Sequence, residues 1–97
     1  MNKANDIISK VVYILLEDNW EYETINGVQF YRKNDSFIKF SYSEGLNSIV
    51  LENAETIEEA ESNIFEDSEL YSISYSKEKI VEKIVEKIVK DINLYYI

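Results

Sequence analysis

Trp20-Glu21-Tyr22-Glu23-Thr24-Ile25-Asn26-Gly27-Val28-Gln29-Phe30 is the stretch on which the fold turns. Its first half has period two: Trp20, Tyr22 and Thr24 share one face, and Glu21 and Glu23 point the other way. Asn26-Gly27 marks a turn, and two registers compete for it. A two-residue turn pairs Ile25 with Val28 and sets Glu23 opposite Phe30, which mixes the faces. A three-residue loop, Ile25-Asn26-Gly27 with Gly27 left-handed in a G1 bulge, pairs Thr24 with Val28 and Tyr22 with Phe30. The second register keeps the apolar residues together and is the one expected.

Outward from this hairpin the pattern continues as a meander. After the polar turn Lys33-Asn34-Asp35-Ser36, a third strand turns Ile38, Phe40 and Tyr42 inward. A fourth runs from about Ser48 to Asn53, with Ile49 and Leu51 inward. Short connections imply antiparallel neighbours. Before the hairpin, Ala4, Ile7, Ile8, Val11, Val12, Leu15 and Leu16 form one helical face. Thr56-Ile57-Glu58-Glu59 is a capping box, predicting a short acidic helix to about Phe65 that buries Ile57, Ala60 and Ile64. Tyr71, Ile73 and Tyr75 alternate, leaving a fifth strand or an extended connector as equal options. The last helix, from after Ser76 to about Asn93, carries a four-residue Lys-Ile-Val-Glu repeat. Four residues turn a helix by 400°, so the stripe drifts by about 40° per repeat. Val89 and Ile92, at the drifted end, are candidate self-association residues. The expected fold is α+β, one domain over residues 1–97: an N-terminal helix, a four-stranded antiparallel meander, a short acidic helix and a long C-terminal helix.

Charge limits the partners. Nineteen acids against ten bases give a net charge of −9, and no Lys or Arg occurs between Ser41 and Ser76, where nine acids fall. That segment carries the whole imbalance. Such a field repels nucleic acid and anionic lipid and attracts basic proteins. There is no histidine or cysteine, so the usual general base, thiolate chemistry and zinc sites are missing. Both glycines read as turns, and neither belongs to a phosphate loop. Glu66-Asp67-Ser68-Glu69 lacks the spacing of a calcium loop. No catalytic residue, metal or cofactor is expected. No apolar run is long enough to span a membrane, and the first residues open directly into an amphipathic pattern, so the expected compartment is the cytoplasm.

The candidate partner-binding residues are Glu52, Glu55, Glu58, Glu59, Glu61, Glu66, Asp67 and Glu69. Tyr71 and Tyr75 join them as aromatic anchors beside the carboxylates. The stretch Ala54-Glu55-Thr56-Ile57-Glu58-Glu59-Ala60, continuing to Phe65-Glu66-Asp67-Ser68-Glu69-Leu70-Tyr71, resembles the C-terminal half of small bacterial immunity proteins of polymorphic toxin systems. There a strand leads into a short acidic helix, a Phe-Glu-Asp turn and a tyrosine. The resemblance implies a cytosolic protein that binds a cognate toxin and blocks its active site. Phage-encoded inhibitors of bacterial defence nucleases, the anti-CRISPR type that mimics nucleic acid, share this size, acidity and mixed fold. A structural or regulatory homo-oligomer assembled through the last helix, with a homodimer as its simplest form, is the competing class.

Overall fold

The computed structural model describes residues 3–73 and 78–96. The helical spacing of Ala4, Ile7, Val11 and Leu15 becomes α1, Lys3–Glu17, and all four are buried. Ile8 packs at the margin of the same core, whereas Leu16 is exposed. Asn19 ends the helix by turning left-handed, at φ 69°. The Trp20 amide then reaches back to the Leu15 carbonyl at 3.0 Å and satisfies a terminal acceptor.

Strands β1 (Glu21–Ile25), β2 (Val28–Lys33), β3 (Ser36–Ser43) and β4 (Ser48–Ala54) follow. The short helix α2 (Ile57–Glu61), β5 (Glu66–Ser72) and the long helix α3 (Glu78–Tyr95) complete the chain. The sheet is antiparallel, in the order β1-β2-β3-β4-β5. The architecture is α+β, with five strands rather than the expected four. Of the undecided segment, Glu66–Ser72 is an edge strand against β4, and the part around Tyr75 lies outside the described residues.

The hairpin takes the register that the sequence reading passed over. Ile25 pairs with Val28 and Glu23 with Phe30. Asn26 and Gly27 both have positive φ, 53° and 80°, as a two-residue type I′ turn requires. That turn matches the twist of the strands, so no bulge is needed. The mixing of faces is real, and two devices absorb it. Arg32 pairs with Glu23 at 3.8 Å, and a second small core forms on that face. It holds Phe30, Phe37, Ala54 and Ala60, with Ile57 and Phe65 against them.

The sheet is therefore covered unequally on its two faces. On one, α1 and α3 pack over Ile38, Ile49, Leu51 and Tyr71, with Tyr31, Phe40 and Tyr42 alongside. The inward residues expected for β3 and β4 all lie there. On the other, α2 covers only the end carrying Phe30 and Phe37.

Helix α2 is shorter than expected, because Asn63 turns left-handed at φ 57° and redirects the chain. Ile64 is consequently exposed rather than buried. Among the described residues of α3 the buried apolar side chains are Val81, Val85, Ile88 and Ile92, with Asp91 buried beside them. This corrects the expectation that the stripe drifts off the core. Each repeat offers an isoleucine and a valine side by side, 100° apart around the helix. Between Val85 and Ile88 the core switches from the valine of one repeat to the isoleucine of the next, leaving Ile84 and Val89 half-buried, so the buried line stays straight. Ile92, 0% exposed, is a core residue and not a self-association residue. Among the described residues, no helix is long and apolar enough to cross a membrane.

Candidate functional site

The acidic segment is built on α2, β4 and β5. Thr56 starts α2 from an extended backbone, and its Oγ1 accepts the Glu59 amide at 3.1 Å. Glu59 closes the box from the other side, where its Oε1 accepts the Glu55 amide at 3.3 Å. The sequence pointed to the threonine amide for this second bond; the geometry selects the residue before it. Glu58 and Glu59 in the first turn also suit the positive end of the helix dipole. Part of this acidity therefore serves the helix itself.

Register distributes the remaining carboxylates. Glu52 pairs directly with Asp67 across β4 and β5, and Leu51 with Glu69. The register shift between Leu51 and Glu52 leaves Ser68 as the extra residue of a bulge. Its hydroxyl bonds to that of Tyr96 at the end of α3. Side chains alternate along a strand, so Glu52 and Asp67 point to the α2 side. Glu66 and Glu69 turn toward the side of the long helices. Glu55 and Glu58 are exposed, and Glu61 is half-buried. The sequence placed these acids in one segment; the structure divides them between one sheet face and its edge.

Lys39 is the cross-strand neighbour of Glu52 on β3. Its ammonium donates to Asn63 Oδ1 at 2.6 Å and lies 4.6 Å from the centre of the Phe65 ring. The ion pairs among the described residues are Lys10–Asp6, Arg32–Glu23, Lys33–Asp18 and Lys87–Asp91. None involves an acid between residues 44 and 69. Nor do those acids converge: no three carboxylates among the described residues gather closely enough to hold a metal ion. They form a dispersed anionic surface.

Tyr71 is corrected. It is 5% exposed, and its hydroxyl donates to Asp91 Oδ2 at 2.8 Å inside the helix layer. Lys87 reaches the same oxygen at 3.4 Å. Burial, then the hydrogen bond to Asp91 and its charge, push the Tyr71 hydroxyl far above the ordinary value of 10.0. Tyr31 is also raised, by burial and then by Tyr22. Tyr71 is thus a core residue tying β5 to α3, unavailable as a partner anchor. Its place just after the acids suggested a surface, but its alternation with Leu70 decides otherwise. Tyr75 lies outside the described residues.

A feature the sequence reading missed lies on the outer side of the helix layer. Val89 is half-buried there, in a furrow between α1 and α3 that it shares with Ile14 and Leu94. The signal was present in Tyr13, Ile14 and Leu94, apolar residues off the buried stripes.

Comparisons were made with protein-family models, with curated proteins and with solved structures. None of the three finds a match. The resemblance over residues 54–71 therefore rests on those residues alone.

Proposed function

We propose that this chain is a small acidic binding protein that blocks a basic partner enzyme by occupying its anion-binding cleft. The observation that supports the reading most is the direct pairing of Glu52 with Asp67, within a sector whose acids have no ion-pair partner among the described residues. Like charges directly opposed across strands weaken a sheet. A partner that brings arginines or lysines relieves that repulsion on binding. Exposed Glu55 and Glu58 extend the same field along α2. In this mechanism carboxylates take the positions of substrate phosphates, charge-assisted pairs set the register, and long-range attraction speeds encounter. A toxin with a nuclease-like active site, met in the cytoplasm, is the partner class this charge pattern suits best.

The test uses a partner captured on the wild-type chain and a triple charge reversal of Glu55, Glu58 and Asp67 to lysine. These positions leave the Thr56–Glu59 cap intact. The association rate should fall by roughly tenfold at low salt, and its salt dependence should flatten. An unchanged association rate across the salt series would reject the acidic face as the binding surface.

A further inference from the structure

Helices α1 and α3 lie side by side and run in the same direction. Ser9 and Lys10 flank Glu82 and Val85, while Ile14 flanks Val89 and Leu94. The furrow between them is apolar and open: Tyr13 is 67% exposed, Ile14 38% and Leu94 64%. We propose that a second copy of this chain docks in this furrow, with the two α3 helices antiparallel about a two-fold axis.

Charge selects that occupant. A copy of the molecule carries a net charge of −9, so most approaches between copies are repulsive. The furrow is nearer neutral: Lys90 on its rim offsets Glu86, and Lys10, which also pairs with Asp6 at 3.5 Å, lies beside Glu82. Copies meet there with far less repulsion than on the rest of the surface, whereas a basic partner is drawn to the acidic sector on other elements. The two rim residues Glu86 and Lys90 have no ion pair among the described residues. With the axis midway between them, Glu86 of each copy meets Lys90 of the other. One exposed patch then serves both subunits, which closes the assembly at two. The antiparallel helices also bring opposite dipole ends together. Ile14, Val89 and Leu94 of both copies leave water at the centre, which supplies the driving force. This surface and the acidic face are separate, so either proposal can fail alone.

Light scattering across a concentration series tests the proposal. Wild type should rise from the 11.4 kDa of one chain to twice that mass. Leu94→Glu alters a side chain on which the fold does not depend, and should weaken the dimer by about tenfold or more, the cost of placing a charge in its apolar contact. Glu86→Lys should weaken it by roughly tenfold, and adding Lys90→Glu to that variant should restore it. Circular dichroism and thermal melts establish that each variant is folded. A wild-type monomer at every concentration overturns the proposal and leaves the furrow to a different protein. Equal dimerisation of wild type, Leu94→Glu and Glu86→Lys overturns it as well, and a charge swap that fails to restore the dimer overturns the antiparallel arrangement.

Discussion

Asn19, Asn26, Asn34, Asn47 and Asn63 all take the left-handed backbone conformation, where only one of the two glycines joins them. Asparagine tolerates that region because its short amide bonds locally, and each of these residues ends a helix or turns between strands. Gly45 looked like the turn-maker of the β3–β4 connection; Asn47 holds the positive φ, and its Oδ1 accepts the Tyr42 hydroxyl at 2.5 Å. At Tyr71 the informative property is a proton. Ionising the buried phenol would set a phenolate against the Asp91 carboxylate, so the folded state holds the proton more tightly than the unfolded chain does. A raised folded value makes this contribution complete below the unfolded value of 10.0 and erodes it as pH climbs beyond. Tyr71→Phe removes that proton but leaves Asp91 with Lys87 alone, at a cost of about 1–2 kcal/mol near neutral pH. Denaturant titrations at neutral pH and above pH 10 should therefore converge, the wild type losing stability faster than the variant. Parallel loss in both would show that Tyr71 does not keep its proton.

The same economy of residue choice operates in the elements. Helix α3 meets the core through Val81, Val85, Ile88 and Ile92, so a charge at Ile92 has no route to solvent. Ile92→Glu should destabilise the fold by about 4 kcal/mol or more, enough to leave much of a small domain unfolded at ambient temperature. Val89→Glu, on the furrow side, should melt close to wild type; similar melts for both variants would contradict the straight buried line. The α1 stripe, the inward residues of β3 and β4 and the Thr56 cap were legible from periodicity and spacing, because each depends on local geometry. The hairpin register was not, because the sharing of faces favours one pairing whereas the backbone twist that a type I′ Asn-Gly turn matches favours the other, and the twist prevails. Strand β5 was obscured for a different reason. Five of its seven residues precede Tyr71 and all five are exposed, so an edge strand with a bulge leaves almost no hydrophobic alternation to read. The acids of the candidate site were visible as a run, but their partition between a face and an edge depends on the pairing of β4 with β5.

At the scale of the whole molecule, charge is distributed at the expense of stability. Asp67 lies fifteen positions after Glu52 in the sequence, and folding brings them side by side on a sheet face. The nearest cross-strand base, Lys39, has its ammonium on Asn63 and Phe65. A lysine at position 67 would remove that repulsion, so the acid there contributes to the anionic field and not to the fold. Asp67→Lys should turn the repulsive pair into an attractive one and raise Tm by a few degrees. Added salt should stabilise the wild type by screening its repulsion, and stabilise the variant less. Scanning calorimetry at two ionic strengths measures both effects on one pair of proteins. The proposed function adds a requirement that stability alone does not: the more stable variant should bind the basic partner more weakly, with the loss carried by slower association. If Asp67→Lys melted at or below the wild-type temperature, the opposed carboxylates would not be a source of strain, and the argument that they await a cationic partner would lose its footing.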